Sequence, residues 1–277
     1  MTGRTTQPGR TVRAGLTPWR TLLQSAVQHP IWTVIIDVTE RRDRAPMTAS
    51  VRRALRLEHR LTQPNASLDD LAVAVALAME HGLAALTVNP WMVKAAKRQL
   101  GRSRVVIGTV IGFPHGSQIL SVKAFEASKA LEQGATQIDF VLNGGALASR
   151  DEETVFNDML AVVDMAHSAL ASAGVILEAA RQGDDLVRRA CHLAERAGAD
   201  YVVTSTGDAP LAATIARTRL LRDSVGPRIG VKASGRFRRP EQLAEAAAAG
   251  ATRVSAHLTA SMARAARDLV EQPAGAA

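Results

Sequence analysis

One cysteine, Cys191, stands in the whole 277-residue chain. A lone thiol excludes an internal disulfide and a cysteine-rich zinc site, and it agrees with a reducing cytoplasm. Long apolar runs are also missing: none approaches the roughly 20 residues that span a bilayer. The basic N-terminus is not followed by an uninterrupted apolar signal core. These absences predict a cytoplasmic protein with no membrane partner. A Gly-rich dinucleotide turn between a strand and a helix is not found, and no tandem repeat is present.

What is present suffices for a large core. Apolar residues make up 47% of the chain, enough for one large barrel or two ordinary domains. The formal charge of +8 is concentrated at one end. Residues 1–60 hold 11 Arg and no Lys against Asp37, Glu40, Asp43 and Glu58, a balance of +7 that leaves +1 for the remainder. Residues 1–50 therefore read as a basic, partly irregular N-terminal extension, with one apolar stretch at Ile31 to Val38. Residues 51–277 read as a nearly neutral barrel, and no nucleic-acid partner is expected.

From Leu57 onward, short β-branched or apolar runs alternate with longer Ala/Leu-rich periodic segments, the pattern of repeated βα units. The spacing predicts strands at Arg56–Leu61, Ala84–Val88, Arg104–Gly112, Gln137–Leu142, Gly174–Ala180, Tyr201–Ser205, Arg228–Ser234 and Arg253–His257. Ser67 with Asp69 and Asp70 marks a helix start, and Gly134, Gly198 and Gly250 each mark a turn into the next strand. Eight such units predict an α/β fold, a closed (β/α)8 TIM barrel, in preference to an open doubly wound sheet.

Chemistry in such barrels sits at the C-terminal ends of the strands. Polar residues there are Glu58, His59, Asn89, His115, Asp139, Asn143, Glu178, the Thr204-Ser205-Thr206-Gly207 run, Lys232, Ser234-Gly235 and His257. A metal would need three convergent ligands, and Glu58, His59, Glu178 and His257 supply them only if their strand ends meet. Neither a metal nor another cofactor is expected.

Six blocks in order carry a resemblance: Thr87-Val-Asn-Pro90, Thr109-Val-Ile-Gly-Phe-Pro114 continuing to Val122-Lys-Ala-Phe-Glu-Ala127, Gln137-Ile-Asp139, Val175-Ile-Leu-Glu178, Ala199-Asp-Tyr201 with Thr204-Ser-Thr-Gly207, and Gly230-Val-Lys-Ala-Ser-Gly235. Over about residues 55–265 the chain resembles the deoxyribose-phosphate aldolase family. In that family a lysine before Thr-Ser-Thr-Gly forms a Schiff base with the substrate carbonyl; the matching position here is Val203. The resemblance also matches Lys232 to a second lysine that tunes the first, and Asp139 to a proton-relay aspartate. Glu58 stands where the family commonly has an aspartate, and Glu178 matches a family position.

The family's phosphate grip, made of backbone amides in glycine turns and hydroxyls after strand eight, is altered here. Gly207 and Gly235 are kept, but Arg236 replaces the second glycine of its turn, His257 and Leu258 replace small or hydroxyl residues, and Asp208 brings a carboxylate. Thr206, Gly207, Ser234, Gly235, Arg236 and His257 are the expected substrate or anion contacts, with Arg236 and Arg238 able to hold an anion by charge-assisted hydrogen bonds.

The resemblance thus implies a carbon–carbon lyase of aldehyde-lyase type acting on a small, sometimes phosphorylated, aldehyde or ketone. Lys232 is the expected nucleophile, Asp139 the acid/base and Glu178 a further catalytic candidate. Ordinary deoxyribose-phosphate cleavage is not expected without a lysine at position 203. Two alternatives stay open: an isomerase, cyclase or dehydratase that uses Lys232 as a charged donor, and a non-catalytic barrel that binds a metabolite. The family resemblance further implies a homodimer.

Overall fold

The computed structural model describes residues 55–271. The expected extension at 1–50, its Ile31 to Val38 stretch and the boundary at 51 lie outside the described residues.

Eight strands alternate with helices in chain order. They are β1 (Arg56–Leu61), α1 (Leu68–Glu80), β2 (Ala85–Val88), α2 (Val93–Leu100), β3 (Val106–Ile111), α3 (Leu120–Glu132), β4 (Gln137–Val141), α4 (Gly144–Ala148) and α5 (Glu152–Ser168). The second half continues with β5 (Ser172–Ile176), α6 (Asp184–Arg196), β6 (Tyr201–Val203), α7 (Leu211–Ser224), β7 (Gly230–Ser234), α8 (Pro240–Ala248), β8 (Arg253–Ala256) and α9 (Ala260–Glu271). Each strand pairs in parallel with its sequence neighbours, and β8 closes on β1 with Glu58 opposite Ser255. The sheet is a closed (β/α)8 barrel.

Local chemistry explains the boundaries. Ser67 Oγ accepts from the Asp70 amide at 3.1 Å, and the Asp70 carboxylate accepts from the Ser67 amide at 2.8 Å, a reciprocal cap that starts α1. Gly134, Gly198 and Gly250 take φ of 106°, 82° and 99°, a region side chains avoid, and each turns the chain from a helix toward the next strand. Only β1 keeps its expected bounds; the other strands differ at one or both ends, and the difference is greatest at the end of β5. β5 ends at Ile176, not Ala180, because Glu178 adopts left-handed φ 47° and ψ 44° and a short 3-10 turn follows.

The two faces of the strands are unlike. Outward side chains such as Leu86, Ile138, Phe140, Val175, Val202, Val231 and Val254 join the main core. Inside the barrel, Val141, Ile176, Tyr201 and Val203 form a separate apolar cluster with Phe113 packed against it. Gly174 makes room for this interior, since a Cβ there would sit 1.9 Å from the Tyr201 ring. Ala85 and Val110 also face this interior, which they share with the polar side chains of Glu58, Gln137, Asp139 and Lys232.

Candidate active site

Side chains two residues apart on a strand share a face, so β1 sends Glu58 and Arg60 inward, β4 sends Gln137 and Asp139, and β7 sends Lys232 and Ser234. Lys232 has no exposed surface, and its Nζ donates to Glu58 at 2.6 Å and to Asp139 at 2.7 Å. Tyr201 Oη donates to the other Asp139 oxygen at 2.5 Å. Below this layer, Arg253 bonds Glu58 at 3.1 Å and Gln137 at 2.9 Å, and Gln137 donates to Glu58 at 3.0 Å. The Tyr201 ring lies against both cations, 4.6 Å from Lys232 Nζ and 4.3 Å from the Arg253 guanidinium. Every charge in this buried cluster has a partner, as burial demands.

The two carboxylates titrate apart. Burial raises the proton affinity of Glu58, but Lys232 and Arg253 outweigh it and hold the carboxyl below its usual range. Asp139 moves the other way: burial, reinforced by the negative charge of Glu58, prevails over Lys232 and Tyr201 and holds it above its usual range. Like charges that share one cation separate in this manner. Burial and the Asp139 charge together push the Tyr201 phenol up.

One layer nearer the mouth lies Arg60. Its Nη1 donates to the Thr206 carbonyl at 2.7 Å and to Ser234 Oγ at 3.0 Å, and its Nη2 donates to the Gly207 carbonyl at 3.2 Å. Burial lowers its proton affinity, while Asp208 and Asp139 oppose that shift. Gly207 is obligatory beneath the guanidinium, because a Cβ there would meet Nη1 at 1.1 Å and φ is 111°.

The β6 and β7 loops are laced to each other. Thr204 Oγ1 accepts from the Ser234 amide at 2.9 Å, and Ser205 Oγ donates to the Ser234 carbonyl at 2.8 Å. Ser205 Oγ also accepts from the Gly207 amide at 3.1 Å, and the Thr206 amide donates to Glu178. Arg236 turns its Nε and Nη2 onto the Asp208 carbonyl at 3.0 and 2.8 Å. His59 Nδ1 accepts from the Leu258 amide at 3.1 Å, with the His257 ring 5.1 Å away. Burial, and then the neighbouring His257 and Arg60, lower the His59 pKa to about 4.

Lys232 and Asp139 therefore meet, and Val203 stands beside them in the interior apolar cluster. Glu178 lies apart from the lysine, between the Thr206 amide and the Arg181 guanidinium at 3.1 Å. Thr206, Gly207, Ser234 and Arg236 gather at the β6 and β7 loops; Gly235 packs close to Thr214 of α7. His257 is exposed, with its Nδ1 3.4 Å from Gln63 Nε2. Glu58 and His59 face opposite sides of β1, so the four potential metal ligands do not converge, and among the described residues no group of three or more His, Cys, Asp or Glu could hold a metal ion. Inspection of strand ends passes over Arg60, Gln137, Tyr201 and Arg253. Polar residues at alternate positions of otherwise apolar strands are the signal that marks them. A cavity of about 1080 Å³ opens at the opposite end, where Arg56, Ser172, Gly230 and Thr252 begin or precede strands, so it is remote from the strand ends.

The fold and site define the class as a (β/α)8 barrel with a lysine buried between two carboxylates in its interior. Residues 45–235 match the family model described as DeoC/LacD family aldolase. Deoxyribose-phosphate aldolase from Listeria innocua is 42% identical over 200 residues, covering 72% of this chain and 89% of that protein. The enzyme of the same name from Thermococcus kodakarensis is 44% identical over 194 residues, with coverage of 69% and 87%. A solved structure described as the tetrameric deoxyribose phosphate aldolase from Aeropyrum pernix superposes with a TM-score of 0.67 at 29% identity, covering 78% of this chain and 89% of that one. The chain belongs to the DeoC/LacD aldolase family, and aldolase-type carbon–carbon lyase chemistry is the activity this membership supports. No helix among the described residues is long and apolar enough to cross a membrane.

Proposed function

We propose that this protein is a Schiff-base aldolase whose nucleophile has moved from β6 to Lys232 on β7, with Asp139 as its acid/base. The observation that carries the reading is the 2.7 Å contact between Lys232 Nζ and a carboxylate whose proton affinity is raised. An amine attacks a carbonyl only through a free lone pair, and Asp139 is the group placed to take the proton. Attack forms a C–N bond, the carbonyl oxygen leaves as water, and an iminium results. Cleavage of the bond between the α and β carbons sends its electron pair toward the iminium to form an enamine, while the β-hydroxyl gives up its proton and its carbon departs as an aldehyde. Protonation and hydrolysis of the enamine return the lysine.

The substrate is a small aldehyde or ketone. Ordinary cleavage of 2-deoxyribose 5-phosphate is disfavoured by Val203 and by the engagement of the Thr206 and Gly207 amides within the loop. Glu178 acts in this reading by holding that loop. Self-association as a homodimer rests on the family resemblance, and light scattering measures it.

A second reading keeps Lys232 as a charged donor to a developing enolate, without an imine. The additional Glu58 contact at 2.6 Å favours it, because two carboxylates occupy the same Nζ. Incubation with acetaldehyde, 2-deoxyribose 5-phosphate and a small carbonyl panel, with and without borohydride, separates the two. A reduced adduct mapped to Lys232 supports the Schiff-base reading. Turnover without an adduct supports the donor, and neither adduct nor turnover leaves the binding barrel.

A further inference from the structure

We infer that Arg60 is the substrate's carboxylate receptor, and that the carbonyl compound held at Lys232 is a short 2-oxo acid. The inference rests on the reading of Lys232 as nucleophile and names the substrate class for the same site.

Arg60 follows Glu58 on the inward face of β1, as Ser234 follows Lys232 on β7, and Nη1 of Arg60 lies 3.0 Å from Ser234 Oγ. The guanidinium thus belongs to the layer above the amine, about 7 Å away at the usual rise of two strand residues. Its three hydrogen bonds use Nη1 and one hydrogen of Nη2. All three go to uncharged oxygens, so the cation is not neutralised by direct pairing. Nε–H and one Nη2 hydrogen remain, and a planar carboxylate accepts such a pair in parallel.

Several other anion donors at the mouth are engaged within the protein. The Thr206 amide serves Glu178, the Gly207 amide serves Ser205, and the Arg236 fork serves the Asp208 carbonyl. A phosphate at the far end of a five-carbon chain finds the Thr206 and Gly207 amides of this loop already engaged. An anion on Arg60 lies one layer from Lys232, so only a carbonyl carbon within a bond or two of that anion reaches the amine. A 2-oxo acid meets this condition because its carboxylate is bonded directly to the carbonyl carbon. Val141, Ile176, Val203 and Phe113 present an apolar wall beside the lysine, suited to a methyl or short alkyl tail.

The reaction follows without a further reagent. Lys232 condenses with the 2-oxo group of a 4-hydroxy-2-oxo acid and releases water. The C3–C4 bond breaks as the 4-hydroxyl gives up its proton, an aldehyde departs, and the electron pair forms an enamine. The enamine takes a proton at C3, and water hydrolyses the imine to the shorter 2-oxo acid.

The test is borohydride trapping with pyruvate and with acetaldehyde, which differ by the carboxylate, read by intact mass as the concentration giving half-maximal adduct. Pyruvate is expected to trap at a concentration about tenfold or more below that of acetaldehyde, the scale of a charge-assisted bidentate pair. In Arg60→Met that preference is expected to fall by about the same factor. Arg60→Lys, which keeps the charge without the fork, should restore only part of it, and a native circular dichroism spectrum confirms folding of each variant. Equal trapping of the two compounds by the unaltered protein, or an undiminished preference in Arg60→Met, overturns the inference and leaves the Lys232 nucleophile standing. If neither compound is trapped, the nucleophile reading fails separately. Saturation-transfer NMR of the pyruvate methyl group then decides for Arg60: signal lost in Arg60→Met sustains the receptor, and signal absent or unchanged overturns it.

Discussion

Tyr201 Oη donates a 2.5 Å hydrogen bond to Asp139, the carboxylate whose second oxygen receives Lys232 at 2.7 Å. The phenol therefore helps to set the charge state of the group that must accept the lysine's proton. Its ring also spaces Lys232 from Arg253.

Tyr201→Phe keeps the ring and removes the donor. The Tyr201 bond lowers the proton affinity of Asp139, so its loss raises that affinity further. The acid limb of the pH profile for adduct formation is expected to move to higher pH. Urea unfolding should show a loss of about 1.5–3 kcal/mol, the usual range for a hydrogen bond to a charged group. An unmoved profile would mean that the phenol does not act through Asp139.

His59 is buried with a pKa of about 4, below the 6.5 of a free imidazole. Between these values the unfolded chain binds more protons, so stability is complete above pH 6.5 and declines as pH falls toward 4. The contribution is about 3 kcal/mol at most, and His59→Gln should remove that part of the pH dependence in denaturant titrations between pH 4 and 7.

Lys123 lies behind β4, fully buried, with its Nζ 2.6 Å from Asp158 and 2.9 Å from the Val141 carbonyl. Removing one member of a buried pair leaves the other uncompensated, so Asp158→Ala should cost about 3–5 kcal/mol in chemical unfolding. Asp158→Asn, which keeps an acceptor, should cost less. A change within about 0.5 kcal/mol, typical of an ordinary surface position, would contradict the burial of this pair.

Cys191 packs in the main core, and burial pushes its thiol up to about 12. Ellman's reagent at pH 8 should leave the native protein unmodified and label one thiol per chain once the protein is unfolded in guanidinium.

Sequence alone determined the repeating βα units, because apolar periodicity and glycine punctuation are local properties. The caps and turns at Ser67, Gly134, Gly198 and Gly250 needed only their neighbours. Ordered motif blocks likewise set Val203, Asp139 and Lys232 against a family pattern. The end of β5 escaped the periodicity, since the left-handed backbone of Glu178 accompanies its side chain's reach to the Thr206 amide of the neighbouring β6 loop.

Only the closed barrel decided which charges meet. Glu58, Asp139, Tyr201, Lys232 and Arg253 come from five strands, up to 195 positions apart, and nothing local distinguishes an inward from an outward residue until β8 closes on β1. The assignment of Lys232 to two carboxylates, and of Arg60 to the loop carbonyls above it, belongs to strand register. A shift of one residue would turn each of these side chains to the opposite face.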